Sequence, residues 1–251
     1  LTYYKSFNSR NSEERFKSYF AVNANKRFGI GFYIDYIYGR GMYNNQSTAL
    51  FNTGLFSSYR GDKYNMHFIF SYDNLKNREN GGITDDRYIT DPLEMAEGKK
   101  QYSSTDIPTK LNKVWNHSRS YHGFLTHRYN VGFYKEKTDS ISTDSVSIVQ
   151  EFVPVSSFIH TLELDLNKRN YITQDHNQNQ QLFEHTYFGS DSTDIAKRTS
   201  IRNTFGISLL EGFNKWAKAG LTAFLTHEYR DFTLPDTTNV ADQRIIKHYK
   251  E

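Results

Sequence analysis

The chain has no cysteine, so it can form neither a disulfide framework nor a thiolate metal site. No apolar run approaches the roughly 20 residues that a membrane-spanning helix requires. The 31 basic and 28 acidic residues leave a net charge of only +3, and no basic stripe typical of a nucleic-acid binder stands out. The chain does not begin with methionine and shows no signal peptide, so we expect it to start inside a longer precursor or after processing.

Apolar residues are also scarce for a chain of 251 residues. The hydrophobic class reaches 37% and the mean hydropathy is -0.75, yet aromatic residues make up 16%, with 19 Tyr and 19 Phe. A single globular core usually contains more aliphatic side chains. The composition instead favours a sheet that is apolar on one face and wetted on the other.

What is present is alternation with a period of two residues. In the segment 64–73, one face carries Tyr64, Met66, Phe68, Phe70 and Tyr72. The other face carries mainly polar residues, because successive side chains of a strand point to opposite faces. Similar segments recur along the chain, and we predict about ten strands, many of them longer than the roughly 9–11 residues that cross a bilayer at a tilt.

The predicted connections alternate in length along the chain. Tight turns are expected at 25–27, 60–63 and 211–214, and longer loops at 74–117, 170–197 and 231–241. Outer-membrane barrels place short turns at one end and long loops at the other. The segment 135–151 departs from this pattern, because it is long at the short-turn end, and we expect an extended hairpin there.

The long loop 74–117 contains a helix signal. Asp91 can cap, Pro92 fits the first turn, Glu94 can answer the cap and Gly98 can stop the helix, so we predict a short helix near 92–97. One interpretation is a plug or constriction folded over a lumen. The other is a capped surface turn.

These patterns predict an all-β fold, an antiparallel transmembrane β-barrel that occupies residues 1–251 as a single domain. Its polar face predicts the lumen-lining residues Lys17, Asp35, His67, Asp73, Arg128, Glu163, Asp165, Arg202, Lys218 and Glu228. Aromatic side chains at strand ends prefer the membrane interface. They predict the interface residues Tyr36, Tyr38, Tyr64, Tyr72, Trp115 and Trp216.

No constellation of catalytic residues stands out. The nine histidines are scattered, no pair has the spacing of a metal site, and no nucleophile elbow or phosphate loop is present. We expect no catalytic residue, no metal, no cofactor and no enzyme activity. A lipase or protease at the rim of a barrel is not excluded by the sequence, since Ser, His and Asp are abundant.

Three stretches resemble the putative porin family of Bacteroidetes outer membranes. They are Glu79-Asn80-Gly81-Gly82-Ile83; Asp106-Ile107-Pro108 with Leu111 and the strand Leu125–Gly132; and Phe152–Thr161. The resemblance implies an outer-membrane barrel described as a porin by analogy, and it brings no catalytic residues. Members of this family look longer at both ends, so we expect this chain to be an incomplete portion of a larger barrel.

The sequence leaves three hypotheses for function. The first is a porin-like passive channel for small hydrophilic solutes in the bacterial outer membrane, with weak ion selectivity because its polar face carries both signs of charge. The second is a non-conducting barrel subunit of a larger outer-membrane complex, with its long loops as contact surfaces. The third is a soluble β-sandwich adhesin. Expected partners are outer-membrane lipid and other outer-membrane proteins, and not nucleic acid.

Overall fold

Alternating apolar and polar residues fold as one antiparallel sheet in the computed structural model of the chain. The structure describes residues 2–5, 12–96, 103–142, 145–174, 182, 193–209, 220–235 and 243–250. Each strand pairs with its neighbours in sequence, in the order β1 to β10 without a crossover. The strands are β1 Thr2–Lys5, β2 Glu13–Asn23, β3 Phe28–Arg40, β4 Ser47–Arg60, β5 Tyr64–Arg78, β6 Val114–Ser142, β7 Ser145–Thr173, β8 Thr193–Leu209, β9 Leu221–Pro235 and β10 Gln243–Lys250.

Eight of these strands have the length that a membrane crossing requires. β2 to β9 have between 11 and 29 residues, which reaches or exceeds the roughly 9–11 residues of a tilted transmembrane strand. β1 and β10 are shorter, with 4 and 8 residues. The prediction of about ten strands is therefore corrected to eight of this length.

The edges of the sheet do not meet within the described residues. β1 pairs only with β2, and β10 pairs only with β9, so the described sheet is open. No helix in the described part of the chain is long and apolar enough to cross a membrane.

β6 and β7 form a hairpin that is longer than the sheet around it, as expected for the segment 135–151. Their pairing continues to Ser142 and Ser145, whereas β6 leaves β5 at Tyr129. The register shifts between Val131 and Gly132, where Pro154 stands opposite Gly132. A bulge tolerates proline, which has no N–H to donate to the ladder.

The long loop is shorter than predicted because the flanking strands extend into it. β5 continues to Arg78 and β6 begins at Val114, so the connection spans 79–113 and not 74–117. It contains helices α1 Arg87–Thr90 and α2 Pro92–Met95 and a 3₁₀ turn, Ser104–Asp106. α2 starts at the predicted proline, with the Asp91 side chain accepting a hydrogen bond from the backbone N–H of Glu94 at 3.5 Å. It ends at Met95 and not at residue 97, which lies outside the described residues, and α1 was not predicted.

Candidate functional site

One face of the sheet gathers most of the side chains that were predicted to line a lumen. Strand register places on this polar face Lys17, Asp35, His67, Asp73, Arg128, Glu163, Asp165, Arg202 and Glu228. Lys218 lies outside the described residues. These side chains come together because paired residues of antiparallel strands point to the same face.

A charge network crosses β7, β8 and β9 on the polar face. Glu163, Arg202 and Glu228 are direct register partners, so the sign of charge alternates from strand to strand. Arg202 donates to Glu163 at 3.0 Å and to Glu228 at 3.1 Å, and Arg230 Nε donates to Glu228 at 2.6 Å. The Glu228 side chain is only 8% exposed. This carboxylate is therefore held by two guanidinium groups, which is the arrangement that a buried charge needs.

A second network lies on β2 to β5 of the same face. Arg15 donates to both carboxylate oxygens of Asp35, at 3.1 and 2.7 Å, and the Lys17 ammonium lies 3.8 Å from Asp35. One strand further, the Asn52 amide donates a hydrogen bond to Asp73. Both networks mix acids and bases, so the polar face carries no field of a single sign.

Other polar side chains fill the face between the two networks. His122 Nδ1 lies 2.7 Å from Asp165, and Arg128 Nε donates to Asn130 at 2.8 Å. His67 is exposed. The polar face is therefore wetted and hydrogen-bonded across β2 to β9, without an apolar layer over it among the described residues.

The opposite face is apolar and exposed. Phe20 is 51% exposed, Phe158 is 55% and Leu225 is 71%. The only buried apolar side chains in the described parts of the chain are Ala96, Ile107, Leu111 and Val114, all in or next to the long connection. Neither face of the described sheet packs against a second layer, which disfavours a β-sandwich, since two sheets in a sandwich bury their inner faces.

Aromatic side chains lie near both ends of the apolar face. Register places Tyr36, Tyr38, Tyr64, Tyr72 and Trp115 on this face, with Tyr64 at the short-turn end and the others toward the loop end. The Tyr72 and Tyr121 rings are 4.8 Å apart. Trp216 lies outside the described residues. This arrangement matches the girdles that flank an apolar band at two membrane interfaces.

The register also brings together polar side chains that sequence reasoning treated as isolated. His127 Nε2 lies 3.0 Å from His160 Nδ1, and His160 Nε2 lies 3.3 Å from Asn203 Oδ1, all on the apolar face. The alternation of side chains along each strand could have assigned these three residues to the apolar face, but only the register of the strands shows that they are in contact. Among the described residues, no group of three or more histidine or acidic side chains is placed to hold a metal ion.

The long connection packs at the end of the sheet. Asn45 Nδ2 donates to Thr109 at 3.0 Å, and Ser104 Oγ donates to the Met42 carbonyl at 2.8 Å, which joins the loop to the β3–β4 connection. The helices α1 and α2 pack against each other and make no extensive contact with a described strand, and Leu93 is 81% exposed. The α1–α2 part of the loop is therefore exposed at the surface, whereas Ile107 and Leu111 in the same loop are buried.

Asp85 holds the start of α1. It accepts hydrogen bonds from the side chain and backbone N–H of Arg87, at distances from 2.6 to 3.2 Å. These hydrogen bonds to Arg87 hold the pKa of the Asp85 carboxyl below its ordinary value. The N-cap residue of α1 is Asp86, whose side chain makes no capping hydrogen bond, so Asp85 holds the first helical residue from one position before the cap.

Comparison with known proteins identifies a family. The model of the family described as "Putative porin" matches residues 1–251, the whole of the chain. No curated protein matches the chain, and no solved structure matches it. The description of the family names no group of bacteria, so an origin in Bacteroidetes stays a prediction.

Proposed function

Because the chain belongs to the putative porin family, we propose that its sheet is the wall of an outer-membrane barrel whose polar face lines a passive channel for small hydrophilic solutes. The observation that carries the proposal is the two-sided sheet. Its strands β2 to β9 are long enough to cross a bilayer, one face exposes aromatic and aliphatic side chains, and the other carries charge networks.

Closure of the sheet is part of the proposal. In lipid, an open edge would leave backbone N–H and C=O groups without partners, at several kcal/mol each. We infer that the outer edges of β1 and β10 find partners in the membrane. Pairing with each other would close this sheet, and pairing with further strands would make it a portion of a larger barrel.

Weak ion selectivity follows from the signs on the polar face. Lys17 and Arg202 stand beside acidic residues on neighbouring strands, so a permeating ion meets both signs at similar depth. Rings of one sign are the usual basis of strong selectivity. We assign no catalytic, metal-binding or cofactor-binding role to the face.

Planar-bilayer recording with the purified full chain tests this function. We expect stepwise conductance and a reversal potential near zero in a salt gradient. A folded, membrane-inserted protein that gives no openings would contradict the channel. A reversal potential close to that of a perfect cation or anion filter would contradict the weak selectivity and leave the channel standing.

The second candidate function is a barrel subunit of a larger outer-membrane complex, and the exposed apolar side chains of the loop support it. Ile89 is 59% exposed, Leu93 is 81% exposed and Met42, on the adjoining connection, is 54% exposed. Outside the membrane such side chains favour contact with another protein. A photo-crosslinking residue in place of Leu93 should then capture one protein in a fixed ratio, while the same residue in place of exposed Lys63 captures none.

A further inference from the structure

The apolar face ends in positive charge at the loop end of the sheet. On β3, β5, β6, β7 and β8 the run of apolar side chains gives way to a lysine or arginine on the same face. We call these six residues the basic belt: Arg40, Lys76, Arg78, Arg119, Lys168 and Lys197. At the short-turn end of this face, by contrast, Lys135 stands opposite Glu151.

Three cations of the belt are direct cross-strand neighbours. Arg119 on β6 pairs in register with Lys168 on β7, and Lys168 pairs with Lys197 on β8. Side chains in such positions have Cβ atoms about 4.5–5.5 Å apart, and like charges there are destabilising. On the polar face the same strands place opposite charges side by side, so in the described part of β6 to β8 directly opposed like charges occur on the apolar face alone.

Within the described residues, none of the three central cations has a carboxylate as a direct register partner, whereas Glu14 on β2 stands beside Arg40 at the edge of the belt. Three residues of the belt contact neutral groups. Arg119 Nε donates to His117 Nε2 at 3.3 Å, Arg78 donates to the side-chain oxygens of Asn45 and Asn112 at 2.6 and 3.3 Å, and the Lys76 ammonium lies 5.4 Å from the centre of the Trp115 ring. Asp231 places a carboxylate near the same level of β9, opposite Thr199, and its Oδ1 has no hydrogen-bond partner among the described residues. The side chains of Arg119 and Lys197 are exposed.

The distance of the basic belt from the short-turn end of the apolar face matches the thickness of the apolar band of a membrane. On β7 the apolar face runs from Phe158 at the short-turn end to Lys168. Ten residues of strand rise by about 33 Å, which corresponds to about 25 Å along the membrane normal at a tilt of about 40°, the height of the apolar band of a transmembrane barrel. Tyr121 and Trp115 flank Arg119 on β6 and mark the same interface.

We propose that the basic belt binds phosphate-bearing lipid headgroups in the leaflet at the loop end, with Arg119, Lys168 and Lys197 as its centre. The inference rests on the proposed function, because it requires the apolar face to be turned to lipid. An anionic phosphate set between three cations supplies the missing negative charge, and guanidinium and ammonium groups both bind phosphate. The neutral polar surroundings leave these donors available to lipid.

Native mass spectrometry of the full chain in detergent, titrated with a phosphorylated anionic lipid, tests this inference. The variant R119Q/K168Q/K197Q should bind the lipid at least about tenfold more weakly, since each basic residue near an anionic surface contributes about a fivefold factor. The matched control R60Q/K63Q/K135Q removes three exposed cations at the short-turn end and should bind as the wild type does. Free inorganic phosphate at millimolar concentration should not displace the lipid.

Each outcome bears on one proposal only. Equal lipid binding by the belt variant and the wild type would overturn the lipid site, and so would equal loss in both triple variants. Displacement by inorganic phosphate would assign the site to the free ion. Conductance of the belt variant, recorded in parallel, should persist, and a wild-type chain that binds lipid but gives no openings would count against the channel alone.

Discussion

At the scale of single residues, Gly132 is the position where one added carbon should matter most. A Cβ there would meet the Val153 carbonyl oxygen and lie 2.9 Å from Pro154 Cα, and both contacts are with backbone that cannot rotate away. We expect Gly132→Ala to lower the free energy of unfolding by about 1–3 kcal/mol, the usual cost of overpacking. Gly39→Ala is the control, because nothing lies within 4 Å of its added Cβ. Urea unfolding of the two variants in detergent measures the difference, and equal midpoints would contradict the close approach at the bulge.

Glu228 is the residue of the polar face on which ion selectivity should depend most. Glu228→Gln removes the acceptor charge that Arg202 and Arg230 share, so two guanidinium groups are left with less compensation. We expect the reversal potential in a KCl gradient to move toward anions. The free energy of unfolding should fall by about 1–3 kcal/mol.

The control for Glu228 is Glu94→Gln, at a carboxylate that is 63% exposed on the surface loop. It should change neither the reversal potential nor the stability. An unchanged potential in the Glu228 variant would mean that permeating ions do not pass this network.

The sequence predicts the face of these residues but not their partners. The position of Glu163, Arg202 and Glu228 within their strands is enough to assign them to the polar face, because successive side chains of a strand point to opposite faces. Their contact depends on the register of β7, β8 and β9. The connecting loops set that register, and the sequence does not give their geometry. For the same reason His127 and His160 could be assigned to a face without any sign that they touch.

At the scale of elements, the outer part of the β6–β7 hairpin should be dispensable. Beyond Tyr129 and Ser156 the two strands pair only with each other among the described residues, because β5 and β8 have ended there. We expect deletion of residues 137–149, with an Asn-Gly turn joining Glu136 to its partner Gln150, to leave membrane insertion and conductance unchanged. Loss of insertion would show that the tip contacts another part of the assembly.

The elements that alternation predicts best are the strands. The segments 28–38 and 64–73 lie inside β3 and β5, since both have one continuous apolar face. Their ends were harder to place. β5 continues past Asp73 through Asn74 and Lys76, polar residues that the sequence alone assigns to a loop but that pair fully with β6. α1 was missed because it has only four residues, and the Asp85–Arg87 ion pair at its start is a local contact without a hydrophobic pattern.

At the scale of the whole molecule, an introduced arginine should prevent membrane insertion on one face of the sheet and permit it on the other. Leu125 lies on the apolar face, and its neighbour Thr126 lies on the polar face at nearly the same depth. We expect Leu125→Arg to block insertion, since arginine facing lipid near the bilayer midplane costs about 2–4 kcal/mol. Thr126→Arg should insert normally and shift the reversal potential toward anions. Insertion into vesicles, followed by protease protection, compares the two, and equal insertion would contradict a lipid-facing apolar side.

The neighbour-to-neighbour order of the sheet also has a kinetic consequence. β4 and β5 are joined through residues 61–63, whereas β5 and β6 are joined through 79–113. Closing the longer connection costs about 2 kcal/mol more in chain entropy. We therefore expect pulsed hydrogen exchange during refolding to protect the β4–β5 amides before those between β5 and β6. Assembly would then proceed as two blocks of hairpins, β2–β5 and β6–β9, that dock along a single late seam.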